Sequence, residues 1–238
     1  MEAPIKKKYC LDRVFTTGET SREIQKADEI EKKIIEDNVA AANLQENGLL
    51  KLLVRFNREE AIEKLLKDYC IKSTFDDLQE AIARNHTDVA LLLIKQNANL
   101  LQEQGDIGTP LHLASFYDNR TVAEELLKKS NIDVNARNKF DDTALHLAVR
   151  NGYEAMVSLL CQQNADPRIQ SKRKFGRAFD PMAMAYRRLC NPSRYYVSSR
   201  MTGPMTTGQK YTLYSKIWGI LCQQYVEKFG GKIYRYYV

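Results

Sequence analysis

Two histidines in the same short phrase are the first candidates for chemistry in this 238-residue chain. The chain has three histidines in all, and His112 and His146 lack the paired Cys or carboxylate spacing of a zinc site. We therefore expect each to bridge its own threonine and a neighbouring backbone group. No phosphate loop, dinucleotide fingerprint, nucleophile elbow or zinc-protease phrase occurs in the sequence. The sequence predicts a protein that is not an enzyme and has no metal site and no cofactor, with an enzyme that has an unfamiliar site in 190–209 as an alternative.

The carboxylate pairs and the cysteines are expected to be structural. Asp76-Asp77 and Asp141-Asp142 stand where helices are expected to begin, and acidic side chains there favour the cap and the helix dipole. Five scattered cysteines, an odd number, indicate free thiols in a reducing compartment and not a disulfide framework. Two of them lie beside leucines on expected apolar helix faces, where a thiolate is disfavoured. These two are Cys161 and Cys222.

One stretch of the chain, 105–167, contains nearly the same phrase twice. The first copy reads Gly-Thr-Pro-Leu-His-Leu-Ala from Gly108, and the second reads Asp-Thr-Ala-Leu-His-Leu-Ala from Asp142, 34 residues later. Each copy precedes a short helical pattern that ends in a leucine pair and then a small polar segment. Repetition at a fixed period indicates stacked supersecondary units, each of which cannot bury its apolar face alone.

The phrase resembles that of the ankyrin family. Thr109 and Thr143 stand at expected helix starts, where each hydroxyl can cap a backbone N–H, and Pro110 suits the first helical position. A period near 33 with a T-P-L-H-x-A phrase is typical of ankyrin repeats, and the resemblance is strongest over 105–167. The resemblance implies an all-α solenoid of about five helical hairpins, acting as a monomer.

The chain is expected to divide into four segments. These are a basic irregular lead at 1–18, an N-terminal capping helix at 19–46, ankyrin repeats at 47–171, and a basic, tyrosine-rich last repeat at 172–238 with an inserted loop at 190–209, an outer helix at 211–229 and a tail. Thr20 would cap the first helix, for which a coiled-coil partner helix is the alternative. Gly48 and Asp76 occupy the threonine slot in the two weaker units, and Asp180 with Pro181 would open the last one.

Charge is divided unevenly along the chain. The segment 172–238 has thirteen Lys or Arg residues against Asp180 and Glu227, while the whole chain carries a net charge of +6. Nine of the 13 tyrosines occur from Tyr186 onward. This half is therefore expected to meet something acidic, and a nucleic acid or an anionic membrane surface is the alternative to a protein partner. No run of 18 apolar residues predicts a membrane span, and 1–8 lacks the apolar core of a secretory signal.

The family resemblance also implies a binding surface. In ankyrin proteins the turn tips and the first helices line a groove, at positions just before the threonine slot and seven and eight residues after it. Carried over to this sequence, those positions are Ala83, Arg84, Asp106, Phe116, Tyr117, Lys139, Phe140, Asp142, Arg150, Asn151, Arg187 and Arg188. Aromatic residues flanked by arginines favour binding hot spots, so we expect a protein partner with acidic and apolar residues. Replacing Arg150 and Tyr117 together is expected to weaken binding with little loss of stability.

Three further expectations concern setting and modification. The Lys-, Asn- and Ile-rich composition and the irregular repeats resemble ankyrin proteins that intracellular bacteria or viruses deliver into host cells. A cytoplasmic location is expected, in the host if the protein is such an effector. Asn135 stands in a pattern that resembles sites of asparaginyl hydroxylases in ankyrin hairpins, although a structural bridge between successive turns is the stronger interpretation.

Overall fold

The computed structural model describes residues 21–36, 48–171, 179–194 and 205–230. Within these ranges every regular element is helical, apart from one isolated antiparallel bridge between Ser171 and Phe179. The chain divides into two compact units, Met1–Pro110 and Leu111–Val238. The all-α prediction is confirmed for the described residues. The caps predicted at Thr20 and the tail after 230 lie outside them.

The described residues of unit 1 form one single helix followed by two helical hairpins. The helices are α1 (Ser21–Ile35), α2 (Leu49–Arg55), α3 (Glu59–Lys67), α4 (Phe75–Ala83) and α5 (Thr87–Gln96), after which a short 3-10 turn covers Ala98–Leu101. Helix α1 packs against α3. The Arg58 side chain pairs with Asp28 and Glu31 of α1, and Lys64 Nζ donates to the Ile35 carbonyl at 3.0 Å. This packing supports the interpretation of the first helix as a cap for the repeats.

The start of α4 corrects the expected position of its cap. Thr74, and not Asp76, precedes the first helical residue and forms a reciprocal capping box with Asp77. The Thr74 N–H donates to Asp77 Oδ2 at 2.9 Å, while the Asp77 N–H donates to Thr74 Oγ1 at 3.3 Å. Two orphan donors are satisfied by one pair, which a cap at Asp76 cannot achieve. The expected slot at Gly48 is confirmed, because this residue precedes α2 with φ 121°.

The described residues of unit 2 form three hairpins, and the second helix of the last hairpin is much longer than that of the others. The helices are α6 (Pro110–Tyr117), α7 (Arg120–Leu127), α8 (Ala144–Asn151), α9 (Glu154–Gln162), α10 (Pro181–Cys190) and α11 (Thr207–Phe229). Asp180 caps α10 by accepting the Ala183 N–H at 2.6 Å, and Pro181 occupies its first turn, as predicted. Helix α11 has 23 residues, whereas α9 has 9. Residues 195–204 of the predicted 190–209 insertion lie outside the described residues, and α11 begins before the predicted 211.

The first four hairpins turn in the same way. A residue with positive φ follows each first helix, at Asn57, Asn85, Asp118 and Gly152. The next residue donates its N–H back to the first helix, as Tyr153 does to the Ala148 carbonyl at 3.0 Å. Asparagine, aspartate and glycine tolerate the left-handed conformation better than other residues, so these side chains permit the tight reversal. The same turn conformation and the same backbone hydrogen bond therefore close each of these four hairpins.

Candidate protein-interaction surface

His146 is a structural bridge and not a catalytic group. Thr143 and His146 form the capping box of α8, and the Thr143 N–H donates to His146 Nδ1 at 3.1 Å. Nδ1 is therefore unprotonated, and Nε2 carries the ring proton, which it donates to the Phe179 carbonyl at 3.1 Å. Burial lowers the pKa of His146 to about 4, so the ring is neutral at pH 7. The predicted bridge from the histidine to its own threonine and to a backbone group is confirmed.

His112 makes the corresponding contact one repeat earlier. Its Nε2 donates to the Asp142 carbonyl at 2.9 Å, and burial lowers the pKa of the ring. Asp142 precedes the cap Thr143, just as Phe179 precedes the cap Asp180. Each repeated histidine thus holds the last residue of the turn that leads into the next repeat. These turns carry several of the predicted binding residues, so the histidines act on the surface by positioning it.

The turn before α8 is held from inside by Asn138, which is 5% exposed. Its Oδ1 accepts the N–H groups of Phe140 at 2.9 Å and Asp142 at 3.1 Å. The Asp141 N–H donates to the Asn138 carbonyl at 2.8 Å, and Asp141 has φ 57°. An asparagine that satisfies several backbone donors makes a turn of defined shape. The turn therefore presents Lys139, which is exposed, and Phe140, which is partly exposed, in one orientation.

Arg150 and Asp142, both predicted to bind a partner, instead bind each other. Arg150 NH2 donates to Asp142 Oδ2 at 2.8 Å, and the two side chains are 5% and 1% exposed. A buried guanidinium requires such a carboxylate, because an uncompensated charge in the interior is costly. The expectation that Arg150 lies exposed on the surface is wrong. The small loss of stability expected on replacing Arg150 and Tyr117 together stays a prediction, and the buried ion pair argues against it. Family position alone did not reveal that an acid eight residues earlier neutralises it.

Phe116 and Tyr117 are also buried, at 4% and 6% exposed. Their rings pack edge to face with centroids 4.9 Å apart, and Asn151 Nδ2 donates to the Phe116 carbonyl at 3.1 Å. Aromatic side chains of this size contribute strongly to a core when covered. The expectation that these two aromatics are exposed for binding is wrong. Asn151 is partly exposed, and its amide is committed to the preceding hairpin.

The two arginines that follow each other on α10 have opposite environments. Arg188 is 4% exposed and its NH1 donates to the Tyr214 hydroxyl at 2.7 Å, so the expectation that it is exposed for binding is wrong. Burial is the main cause that raises the pKa of Tyr214, which therefore stays a neutral phenol. Arg187 is exposed, and its guanidinium carbon lies 4.6 Å from the centroid of the Phe179 ring. Successive side chains on an α-helix point in directions about 100° apart, so Arg188 is buried while Arg187 is exposed.

The predicted binding residues of unit 1, Ala83, Arg84 and Asp106, differ in their exposure. Ala83 is 1% exposed and Asp106 is exposed. Arg84 Nε lies 2.7 Å from Glu80 Oε1, and these side chains are 17% and 16% exposed. The same Glu80 oxygen accepts from Arg55 at 3.3 Å. Arg84 is thus a member of a partly buried ion-pair cluster, whereas Asp106 remains a prediction for binding.

Two interpretations from the sequence concern single side chains. Asn135 Oδ1 accepts the Asp166 N–H at 2.8 Å, which confirms the bridge between successive turns. Cys161 is 4% exposed, and burial raises the pKa of its thiol to about 12, so it is inert at pH 7. Burial also raises the pKa of the Cys222 thiol, which is partly exposed. Neither cysteine offers a reactive thiolate.

The described ranges contain neither a cluster suited to a metal ion nor a helix suited to cross a membrane. Within 21–36, 48–171, 179–194 and 205–230, no group of three or more His, Cys, Asp and Glu side chains is placed to hold a metal ion. In the same part of the chain, none of the helices combines the length and the apolar character needed to cross a membrane.

Sequence reasoning missed Asn138 and Phe179. The Asn138-to-Asp142 turn contains an asparagine followed two and four residues later by the N–H groups it binds, a local pattern that could have been read. The signal for Phe179 is its place directly before the expected cap Asp180, which corresponds to Asp142 before Thr143. The histidine of each preceding repeat binds both carbonyls, and these hydrogen bonds show what the shared position does.

Comparisons with known proteins agree with the fold. Residues 78–171 match the family model described as ankyrin repeats, in three copies. Alpha-latrotoxin-Lg1a of Latrodectus geometricus is 36% identical over 99 residues, which are 40% of this chain and 7% of that protein. Ankyrin repeat and SOCS box protein 11 of Mus musculus is 30% identical over 90 residues, which are 37% of this chain and 27% of that protein.

A solved structure extends the likeness of fold. The crystal structure of EF0377, an ankyrin repeat protein, aligns with a TM-score of 0.58 at 22% identity and covers 87% of this chain and 99% of that one. The chain spans only 7% and 27% of the length of the two curated relatives above. The comparisons therefore confirm the ankyrin resemblance and the all-α ankyrin-type fold, which is a scaffold that generally binds other proteins.

Proposed function

We propose, since residues 78–171 of this chain are ankyrin repeats, that it is a non-catalytic module that binds another protein. The binding residues in unit 2 are Lys139 and Arg187, which are exposed, and Phe140, which is partly exposed, and we call these three the edge residues. The partner carries acidic and apolar side chains, because two of the edge residues are cations and one is aromatic. The observation that carries the proposal is the preformed turn that displays Lys139 and Phe140.

Preorganisation supports binding at this turn. The Asn138 side chain holds the turn from within, and His112 Nε2 holds the carbonyl of its last residue, Asp142, at 2.9 Å. Arg137 NH1 donates to the Gln170 carbonyl at 3.1 Å and so links this turn to the following one. A surface that is already ordered loses less conformational entropy when a partner binds, so more of the contact energy appears as affinity.

The charges of the turn support an acidic partner. The Lys139 Nζ lies 5.4 Å from the centroid of the Phe140 ring, and Asp142 within the same turn is neutralised by buried Arg150. Arg187 adds a second exposed cation on α10. A cation beside an aromatic ring suits a partner segment in which an apolar side chain follows a carboxylate. The cation can bind the carboxylate while the ring contacts the apolar side chain.

Affinity capture with paired variants tests the proposal. The full chain, the double variant Lys139→Ser/Phe140→Ser and the control Lys128→Ser/Gln162→Ser are used as bait, and captured proteins are quantified by mass spectrometry. The control residues are exposed, Lys128 directly after α7 and Gln162 at the end of α9, so both variants remove side chains from the surface. We expect the variant Lys139→Ser/Phe140→Ser to capture at least tenfold less of a specific partner, whose captured amount is unchanged with the control. If both variants capture the same proteins at the same level, the proposed surface is wrong.

Delivery into a host cell remains a prediction, and the same experiment bears on it. A captured partner that belongs to a host proteome, and whose capture depends on Lys139 and Phe140, would support an effector role. A cytoplasmic location is likewise a prediction, which fractionation of the source cells would test.

A further inference from the structure

The last two repeats of unit 2 place an arginine at the same position but give it different neighbours. Asp142 precedes the cap of α8 and Arg150 follows eight residues later, while Phe179 precedes the cap of α10 and Arg187 follows eight residues later. The equivalence is structural as well as sequential. The carbonyl of Asp142 and the carbonyl of Phe179 each accept a hydrogen bond from the repeated histidine of the preceding repeat, at 2.9 and 3.1 Å.

The neighbour decides whether the arginine is satisfied within the chain. Arg150 is buried against the Asp142 carboxylate at 2.8 Å. In the next repeat the carboxylate is replaced by the ring of Phe179, and Arg187 is exposed with its guanidinium carbon 4.6 Å from the ring centroid. The Arg187 guanidinium contacts the ring, and within the described residues no carboxylate forms an ion pair with it. In that part of the chain, the site therefore has the cation of the preceding repeat without its anion.

The chain contains a completed version of this arrangement elsewhere in unit 2. The Arg168 guanidinium carbon lies 3.4 Å from the centroid of the Phe229 ring. The same guanidinium donates to both carboxylate oxygens of Asp166, at 3.0 and 2.9 Å. An arginine stacked on an aromatic ring can thus still take a carboxylate in a two-pronged hydrogen bond, because the ring occupies a face of the plane and the donors lie at its edge.

We propose that Arg187 and Phe179 form a carboxylate-binding site for an acidic side chain of the protein partner. The partner's Asp or Glu takes the place that Asp142 has in the preceding repeat, and an apolar neighbour contacts the exposed part of the Phe179 ring. This inference rests on the proposed function and assigns one of its contacts. The site belongs to the segment 172–238, which has thirteen basic residues against Asp180 and Glu227, and this excess of positive charge favours an acidic group.

Stacking makes Arg187 suited to this role. A free arginine side chain loses several rotatable bonds on binding, whereas a guanidinium already held on a ring is restricted before the ligand arrives. The backbone carbonyl of Phe179 is held by buried His146, and Ser171 donates its N–H to the same carbonyl at 3.1 Å. The ring is thus attached to a well-anchored backbone position, which fixes where the carboxylate would be placed.

The test uses NMR of the full chain labelled with nitrogen-15. The probe is the acetylated and amidated tripeptide Leu-Glu-Leu, with Leu-Gln-Leu as its neutral counterpart, and the signal is the Arg187 Nε–H. We expect a saturable shift of this signal with the glutamate peptide and at least a tenfold weaker response with the glutamine peptide. The Arg168 Nε–H is the internal control, and it should not respond because Asp166 already occupies its donors.

The variant Phe179→Asp supplies the missing carboxylate from within the chain, and Arg187→Gln removes the cation. Both should reduce the binding of the glutamate peptide at least tenfold, the first by pairing with Arg187 inside the chain and the second by removing the cation. Because Arg187→Gln lacks the Nε–H signal, binding by both variants is followed through the backbone N–H signals of α10. Thermal unfolding measured beside them shows that each variant is folded. The backbone contact of His146 does not involve the exchanged side chain, so the turn is retained.

Several results would overturn the inference. These are an Arg187 signal that does not respond to the glutamate peptide, an equal response to the glutamine peptide, or unchanged binding by folded Phe179→Asp. If a single-stranded oligonucleotide binds the site at a lower concentration than the glutamate peptide does, and displaces that peptide, the site would be assigned to phosphate instead. Capture experiments separate the two proposals. If Arg187→Gln retains a partner that Lys139→Ser/Phe140→Ser loses, this inference fails and the proposed function stands. If neither variant changes capture, both fail.

Discussion

The hairpins α8–α9 and α10–α11 share one plan and differ in how much of their polar chemistry they satisfy internally. In the first, the arginine at the shared position is buried against an aspartate, and 9-residue α9 completes a short hairpin. In the second, the equivalent arginine is exposed on a phenylalanine, and the outer helix is 23 residues long. The comparison teaches that the arginine at this shared position is buried where a carboxylate precedes the cap and exposed where a phenylalanine does.

The adjacent pair Arg187 and Arg188 repeats the lesson within one helix. Arg188 is buried against Tyr214, while Arg187 points to solvent. Residue type therefore does not distinguish exposed from buried arginines in this protein. The distinguishing feature is the group placed opposite each side chain by the fold.

The largest expected effect separates the two equivalent arginines. Arg150→Ala should lower the free energy of unfolding by about 3–5 kcal/mol, because it leaves the Asp142 carboxylate buried without its cation. Arg187→Ala should change it by less than about 0.5 kcal/mol, since an exposed side chain contributes little. Urea unfolding of both variants measures the difference. Equal losses would show that the two positions do not differ in the way the comparison requires.

The second effect concerns the histidine that joins the two hairpins. The pKa of His146 is lowered in the folded state from 6.5 to about 4, so between these values the unfolded chain binds more protons than the folded one. Stability should therefore be constant above about pH 6.5 and decrease as the pH falls towards 4, by roughly 3 kcal/mol from this group.

Chemical denaturation at a series of pH values measures the dependence on His146. The control is His146→Gln, which keeps a polar side chain and does not titrate, and its curve should be flatter than that of the wild type across this range. Burial also lowers the pKa of His112, so part of the acid dependence should persist in the variant. A variant whose curve matches the wild type would contradict the assignment.

A third effect tests how Arg188 is held. Tyr214→Phe removes the hydroxyl that accepts from Arg188 NH1 at 2.7 Å, within a site where both side chains are buried. We expect a loss of about 1–3 kcal/mol, because a hydrogen bond to a charged group is stronger than one between neutral groups. Differential scanning calorimetry would show a lower melting temperature. An unchanged melting temperature would mean that other contacts of Arg188 suffice.

A fourth and smaller effect concerns the turns that both hairpins follow. Asn135→Ala should cost about 1 kcal/mol, since the Asp166 N–H loses the side-chain oxygen that it meets at 2.8 Å. Asn131→Ala, at an exposed residue nearby, is the control and should have little effect. Thermal unfolding measures both, and equal melting temperatures would contradict a structural role for Asn135.

The smallest effect has the opposite sign and concerns the long helix. Gly219 lies within α11, and a Cβ built there meets no atom within 4 Å. Gly219→Ala should raise the free energy of unfolding by roughly 0.5–1 kcal/mol, because alanine loses less conformational freedom in a helix. Urea unfolding measures the gain. A loss would show that the backbone at Gly219 is approached by something that the described residues do not include.

Local chemistry predicted the repeats because it acts over a few residues. The threonine cap, the histidine three residues later and the apolar periodicity of each helix are all local, and they indicated the hairpins and the role of His146 before any coordinates. The cap of α4 was misplaced by two residues because Thr74 and Asp76 both suit a helix start. Only the hydrogen bonds of Asp77 to Thr74 distinguish them.

The sequence by itself determined the ankyrin-type hairpins, the neutral bridging histidines and the excess of positive charge towards the end of the chain. Tertiary structure alone decided which predicted binding residues are accessible: it buried Phe116, Tyr117, Arg150 and Arg188, and it left Lys139 and Arg187 exposed. The physical reason is distance along the chain. Helix and turn preferences depend on neighbours within about four residues, whereas the burial of a charge depends on whether the folded chain brings a partner group to it.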